Sequence, residues 1–349
     1  MIFLDSWFLT LDSYCIFTFM KHISILVPEG DCSLANIEGA HQIFCRVNGY
    51  LAEEGRGPEF IVQLVGQREE TRMKKGLFTV RPEVLLQDVS HTDLIIIPAV
   101  HGNMQQIMAD NELMLDWIIK QYKGGAAVAA LCIGAFVLAG TGLLDGKTCA
   151  THWEFAGRFR QMFPAVNLID DRIITDENNI YTSGGAYSWL NLVLYLVEKF
   201  AGRETAIRCS KGFEIDTERA GQSPFIIFRP QKGHQDMAVR KAQEYIEANI
   251  HTQISVGELA SMLALGRRNL ERRFKNATAN TVKEYMQRVK IEAVKKNLES
   301  TQGGVYKAMS EVGYSDPKTF RAVFKKLTGL SPLQYRSKYN RDFVAYTTH

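Results

Sequence analysis

The sequence predicts an α/β domain built on a mainly parallel sheet, followed by an all-α domain with two helix-turn-helix units. Three observations carry this. From residue 20 to about residue 202, short β-rich runs alternate with longer helical stretches, as in a parallel sheet covered on both faces by helices. Beyond about residue 236 the strand-like runs stop and the hydrophobic spacing is helical to the end. The charge divides at the same place: residues 1–236 hold 21 Lys and Arg against 28 Asp and Glu, whereas residues 237–349 hold 20 against 10. An acidic domain joined to a basic one implies that the second half meets a polyanion.

At 349 residues two domains are expected, because a single hydrophobic core stops growing near about 250–300 residues. A content of 46% hydrophobic and 23% charged residues excludes a disordered or collagen-like chain. Residues 1–19 are apolar but contain Asp5 and Asp12, without a basic leader or a small-residue cleavage site. They read as a start-site extension outside the fold, neither a signal peptide nor a membrane span. The six cysteines at 15, 32, 45, 132, 149 and 209 include no CxxC pair. No metal site or disulfide framework is therefore expected, and a reducing compartment is read from this; no cofactor is expected either.

In the first domain the strands are placed at 22–27, 60–65, 94–98, 126–131, 147–150 and 167–175. Most are continuously apolar, as strands buried on both faces are. Helices are placed between them at 34–50, 103–122, 134–142, 152–162 and 184–201. Residues 203–236 read as an irregular connector with one short strand at 225–228 (FIIF). The all-α domain is placed at 237–340 and a tail at 341–349.

The basic half repeats itself at an offset of 50. Phe274-Lys275 matches Phe324-Lys325, Thr278 matches Thr328, Thr281 corresponds to Ser331, and Tyr285 matches Tyr335. In the first copy Ser255 and Glu258 form a capping-box signature before a stripe of Val256, Leu259, Ala260 and Leu263. A turn at 264–266 leads to a second helix in which Leu270 and Phe274 share a face, leaving Arg267, Arg268, Asn269, Glu271 and Arg272 on the other. In the second copy Gly313 allows a turn, Ser315 or Asp316 caps the next helix, and Pro317 stands in its first turn. Phe320 and Phe324 point inward, and Lys318, Thr319, Arg321 and Lys325 remain for phosphates and base edges. The long helical pattern at 281–299 spans roughly 28 Å, comparable with the roughly 34 Å between successive major-groove faces.

These residues resemble the AraC/XylS-type DNA-binding domain. The resemblance rests on Leu259-Ala260, Leu270, Arg273-Phe274, Gly313-Tyr314, Phe320, Phe324-Lys325, the GLSP run at 329–332 and Tyr335. The first copy departs at Ala279 and Val282, where the pattern prefers Gly and Pro, and the second at Met309, where Ala is usual. These departures bear on packing and leave the basic faces intact.

In the acidic half the run AAVAALCIGAF places Cys132 between a buried strand and small residues that open a helix. A nucleophile on such a turn sits in a strained elbow beside backbone N–H groups. His152 follows at the start of the next helix, with Glu154 two residues on. Residues 21–200 resemble the amidotransferase-like ThiJ/PfpI domain, of flavodoxin-like fold, which is joined to AraC-type modules in the GlxA-like regulators. The matching pieces are ILVPEG, DLIIIPAVHG (93–102), the Cys132 elbow, LLDGKTCATHW (143–153) and the segment 181–202.

Catalytic members of that superfamily place an acid beside the cysteine, and the position aligned with it here is Asn36. A carboxylate shuttles a proton and an amide does not. Glu38 is a substitute acid whose spacing is off by two, and Ala99-Val100 replaces the Gly-Gly of the second loop. No catalytic residue is therefore assigned, and the alternative of a cysteine-dependent hydrolase or deglycase is the minor one. The resemblance implies instead an effector pocket around Asn36, Gly102, Cys132, Ile133 and His152, taking a small polar or anionic metabolite. The expectation is a cytoplasmic, nucleoid-associated, homodimeric transcription regulator. Its partners are double-stranded DNA, a small-molecule effector and RNA polymerase, with no membrane.

Overall fold

Five of the seven residues of Lys21–Val27 (β1) are buried, because this strand lies inside a sheet whose two faces are both covered. The other strands are Phe60–Gly66 (β2), Val84–Leu85 (β3), Leu94–Ile97 (β4), Ala127–Ala130 (β5), Ile174–Glu177 (β6) and Ile180–Ser183 (β7). Among the described residues they form one seven-stranded sheet in the order β6-β7-β5-β4-β1-β2-β3. The pairs β1–β2, β1–β4, β2–β3 and β4–β5 are parallel. The chain leaves β1 for β2 on one side and returns to its other side as β4, so the direction of winding reverses there. In open α/β sheets the crevice outside the carboxyl ends at such a reversal is where ligands bind. The order of the principal strands is flavodoxin-like, as the sequence predicts.

This is a computed structural model describing residues 20–217, 221–300 and 303–340. The expected extension at 1–19 and tail at 341–349 lie outside the described residues. The chain divides into two units. The first runs to Leu143 and adds Asp176–Tyr181 and Trp189–Thr217; the second comprises Leu144–Thr175, Thr182–Ser188 and the chain from Glu218 onward. Among the described residues no helix is long and apolar enough to cross a membrane.

Helix Leu34–Glu53 (α1) buries Ile37, Ala40, Ile43, Phe44, Val47 and Leu51, a stripe at three- and four-residue spacing that faces the sheet. The single helix expected over 103–122 is corrected to Met104–Asp110 (α2) and Glu112–Lys123 (α3). Asn111 breaks it. Its buried amide accepts from Glu29 N at 2.8 Å and donates to the carbonyls of Glu29 and Ile107, the competition with backbone bonding that disfavours Asn inside helices. Ala135–Gly140 (α4), Ala156–Met162 (α5) and Ser188–Ala201 (α6) follow.

Three further expectations are corrected. The strand expected over 167–175 is two pieces, because a turn at 170–171 separates β6 from Asn167–Leu168, which pairs in parallel with Thr148–Cys149 outside the main sheet. The connector from 203 begins with a regular helix, Arg203–Gly212 (α7), which buries Thr205, Ala206 and Cys209. The strand expected at 225–228 is a 3-10 turn, Ser223–Phe225, running into extended chain with no ladder. The polar backbone there bonds to side chains instead, as described below.

The helical half comprises Met237–Ala248 (α8), Val256–Met262 (α9), Arg267–Thr278 (α10), Val282–Ser300 (α11), Val305–Glu311 (α12), Pro317–Thr328 (α13) and Pro332–Tyr339 (α14). It has two cores. Leu259, Leu270, Phe274, Val282 and Tyr285 belong to one, and Val294, Leu298, Met309, Phe320, Phe324 and Tyr335 to the other. Helix α11 contributes to both. The fifty-residue repeat is therefore structural. Thr278 and Thr328 each donate a hydroxyl to the carbonyl four residues back, at 2.8 Å. Phe274 meets Tyr285 edge-on at 5.2 Å, and Phe324 meets Tyr335 edge-on at 5.5 Å.

The departure at Ala279 bears on the backbone rather than on packing. Ala279 ends α10 in the left-handed region at φ 58°, and its counterpart Gly329 ends α13 there at φ 72°. Only glycine enters that region without a Cβ clash.

Candidate nucleic-acid interface and ligand cleft

Each helix-turn-helix unit is set by its caps. Ser255 Oγ accepts from Glu258 N while Glu258 Oε2 accepts from Ser255 N, completing the expected box at the start of α9. In the second unit the cap is Asp316 rather than Ser315. Its carboxylate accepts from the amides of Lys318 and Thr319 and from the Thr319 hydroxyl. The Thr319 hydroxyl first, then the amides of Thr319 and Lys318, hold the Asp316 carboxyl below its ordinary range.

Helix α10 buries Leu270, Phe274 and Thr278 and leaves Arg267, Arg268, Asn269 and Arg272 exposed, with Glu271 half-buried. Glu271 Oε1 accepts from Arg267 Nε at 3.1 Å, and Asn269 Oδ1 accepts from Arg272 Nη2 at 3.2 Å. Two of the arginines are thus aligned by their neighbours. Helix α13 buries Phe320, Phe324 and Thr328 and leaves Lys318, Thr319, Arg321 and Lys325 exposed. Twelve residues make a helix of about 18 Å, long enough to lie in a major groove. A helix of that size bearing four or more cationic or amide side chains on one face suits phosphates and base edges.

Arg273 is different. It is half-buried and forms a two-point contact with Asp236, which also caps α8 by accepting from the amides of Ala238 and Val239. Arg273 first, then the backbone amides, bring the Asp236 carboxyl down to about 2 against the opposing effect of burial. The exposed face expected from the sequence leaves Arg273 out; its partner Asp236, 37 residues earlier, is what the sequence does not mark.

In the first unit, Cys132 follows β5 with φ 55°, the strained elbow expected from the sequence. Cys132 and Ile133 are buried at this turn. The small residue after them has a definite cause: a Cβ on Gly134 would stand 2.6 Å from the Pro98 carbonyl oxygen and 2.7 Å from that of Ile97. The loop after β4 is tied to the loop after β1. Asp31–Cys32 pairs antiparallel with Val100–His101, and Ser33 N donates to the Ala99 carbonyl. Asn36 is buried, and its Oδ1 accepts from Ala99 N at 3.0 Å. Gly102 is exposed just beyond, at φ 128°.

Of the five expected cleft residues, Gly102, Cys132 and Ile133 therefore lie on loops after β4 and β5, and Asn36 stands in the first turn of α1, which follows the loop after β1. Glu38 is exposed; two residues from Asn36, it is about 200° round the helix and does not substitute for it. No disulfide links the described cysteines. Burial pushes the thiols of Cys32 and Cys149 up to about 12 and that of Cys209 to about 11, so these three stay protonated. Among the described residues no group of three or more His, Cys, Asp or Glu stands together to hold a metal ion.

His152 lies in the second unit. Its Nδ1 accepts from Glu154 N at 3.1 Å, so the neutral ring carries its proton on Nε2. Burial lowers its pKa, against a smaller raising effect of Glu154. Gly185 lies flat on the imidazole: a Cβ there would come within 2.5 Å of His152 Cδ2. Gln222 completes this region. It is 1% exposed, and its Oε1 accepts from Gly185 N at 2.6 Å. Neither Gly185 nor Gln222 is a site residue on sequence grounds. The Gly-Gly pair after a strand is a usable signal for the first; nothing near Gln222 marks the second.

Comparison with known proteins accords with both halves. Residues 49–199 match the DJ-1/PfpI family and residues 259–338 match a helix-turn-helix domain. The chain is 24% identical over 258 residues to the HTH-type transcriptional regulator GbdR of Pseudomonas aeruginosa, covering 74% of this chain and 69% of that one. It is 24% identical over 270 residues to the HTH-type transcriptional regulator CdhR of the same species, covering 74% and 76%. Over 147 residues it is 31% identical to an isonitrile hydratase of Pseudomonas putida, covering 42% of this chain and 60% of that one. A solved Vibrio parahaemolyticus protein assigned to transcriptional regulation shares the fold, with a TM-score of 0.50 and 24% identity over 55% of this chain and 98% of its own.

Proposed function

We propose that this chain, which joins a DJ-1/PfpI domain to an AraC-type helix-turn-helix domain, is a sequence-specific DNA-binding transcription regulator governed by a small-molecule effector. The observation that carries the reading is the pair of equivalent recognition helices, α10 and α13, each with an apolar face in its own core and a cationic face in solvent.

Arg267, Arg268, Asn269, Glu271 and Arg272 on α10, and Lys318, Thr319, Arg321 and Lys325 on α13, are the proposed DNA contacts. Glu271 holds the Arg267 guanidinium for a guanine edge, where a fixed fork loses the least freedom on binding. Thr319, whose hydroxyl is given to Asp316, contributes through its place in the first turn.

The effector site is proposed at the crevice between the carboxyl ends of β1 and β4. The amides of Gly102 and Ile133 and the Cys132 side chain supply polar contacts suited to a small polar or anionic metabolite. The domain is read as a sensor rather than an enzyme because Asn36 has no proton to shuttle and is committed to Ala99 N. A hydrolase or hydratase reading draws on the strained Cys132 and the likeness to isonitrile hydratase. It requires an acid that Asn36 does not supply. A cytoplasmic homodimer that meets RNA polymerase at its promoters completes the proposal.

The experiment is a footprint of the full chain on duplex DNA from upstream of its own gene, with unrelated duplex as competitor. Protection of two adjacent major-groove segments that survives the competitor supports the reading. Protection abolished equally by any duplex leaves a non-specific DNA-coating protein instead.

A further inference from the structure

Gln222 uses every polar atom of its buried side chain on backbone from several loops of the second unit. Oε1 accepts from Gly185 N at 2.6 Å and lies 3.4 Å from Trp153 N. The two N–H groups of Nε2 are shared among the carbonyls of Thr151, Asp170 and Arg172, at 2.9, 3.0 and 2.9 Å. A Cβ on Gly184 would stand 2.6 Å from the Gln222 amide, and one on Gly185 would strike His152. The two glycines are thus flat because a glutamine and a histidine lie on them.

The residues just after Gln222 are fastened to the DNA-binding helices by equally specific bonds. The Pro224 carbonyl accepts from Tyr339 Oη of α14 at 3.0 Å. The Ile226 carbonyl accepts from Lys295 Nζ of α11 at 2.5 Å, and Phe228 N donates to Glu292 Oε2 of α11 at 3.0 Å. Lys295 is itself buried and donates also to Glu292, so a charged pair is held under the strap. Between Gln222 and Phe228 four of the seven residues are bonded at the side chain or the backbone, and Ser223–Phe225 is closed into a 3-10 turn by Phe225 N donating to the Gln222 carbonyl.

We propose that Gln222 is a latch that transmits changes in the loops carrying His152 and Gly185 to α11, which contributes to the cores of both recognition helices, and to α14, which packs in the core of α13. The proposal rests on the regulator reading above and deepens it. A ligand that shifts Gly185 or His152 must break or re-aim the Gly185 N–Gln222 bond. The displaced glutamine then pulls on a strap whose next anchor is α14. Linkage makes the effect reciprocal, so DNA bound to the helices alters the same loops.

That reciprocity supplies a test needing no effector. Hydrogen–deuterium exchange is measured on the full chain, free and saturated with duplex from upstream of its own gene, in the wild type, Gln222→Ala and Gln222→Met. Methionine keeps the volume and removes the bonds. The latch predicts that DNA changes exchange at 151–153 and 184–185 by about twofold or more in the wild type. It predicts that this difference vanishes in both variants while they still bind the duplex. A glutamine serving only structure raises exchange in both states and leaves the DNA-induced difference intact; that result overturns the proposal. So does a wild type that binds duplex with no change at these loops. A wild type that binds no duplex removes the regulator reading, and the latch falls with it.

Discussion

Arg273 closes on Asp236 through two bonds, Nε to Oδ2 at 2.7 Å and Nη2 to Oδ1 at 2.6 Å. The pair fastens the middle of the first recognition helix to the amino end of α8. Asp236→Asn keeps an oxygen for the cap but removes the charge, and is expected to cost about 1–2 kcal/mol at neutral pH. The sign follows from the depressed carboxyl, at about 2 in the folded chain against an ordinary 3.8. The contribution is full above about pH 4 and is lost as pH falls through about 2. Urea denaturation of both proteins from pH 7 to pH 2 checks this: the two curves are expected to converge at the acid end, and a gap that persists there contradicts the assignment.

Ala279 occupies a left-handed position that Gly329 fills in the second unit. Ala279→Gly is therefore expected to stabilise the helical half by about 1 kcal/mol, and Gly329→Ala to destabilise it by a similar amount. Opposite shifts of the unfolding midpoint are the readout. A loss of stability in Ala279→Gly contradicts the strain.

Gly185→Ala puts a methyl group 2.5 Å from the His152 ring and 3.0 Å from Gln222 Oε1. Both neighbours are themselves held, so the site has little room to relax. A loss of about 2 kcal/mol or more is expected, measured as thermal unfolding of the full chain. Gly30→Ala tests only backbone strain, since no atom lies within 4 Å of the added carbon, and is expected to cost less.

His152 is neutral at its site because burial disfavours the imidazolium. A folded pKa below the unfolded one means that the contribution is present above about pH 6.5 and declines as pH falls below it. His152→Gln keeps an acceptor for Glu154 N and is expected to flatten this part of the stability profile. Denaturation midpoints between pH 8 and pH 5 check it; an unchanged slope in the variant assigns the titration elsewhere.

The two-part architecture, the principal strands and the fifty-residue repeat were legible because each depends on local pattern: apolar runs, helical spacing, caps at Ser255 and Asp316. The elbow at Cys132 was legible for the same reason. What escaped depends on partners distant in sequence. Asn111 breaks a continuous helical pattern because Glu29 waits opposite it. The FIIF run has strand-like residues, yet Lys295 and Glu292 take up its backbone groups and no strand comes to pair with it. Gln222 resembles any loop glutamine until Thr151, Asp170, Arg172 and Gly185 surround it. Arg273 stands outside the exposed face expected on α10, yet nothing local marks Asp236 as its partner.

The central claim is that both cationic helix faces meet the phosphates and bases of one duplex. Its most direct test is the salt dependence of affinity for the upstream duplex, comparing the wild type with Arg267→Ala/Arg268→Ala and with Lys318→Ala/Arg321→Ala. Each phosphate contact removed lowers the slope of log affinity against log salt by about 0.9. The account predicts weaker binding and a shallower slope, by about one to two, in both double variants. Affinity and slope equal to the wild type in either one, at every salt concentration, contradict it.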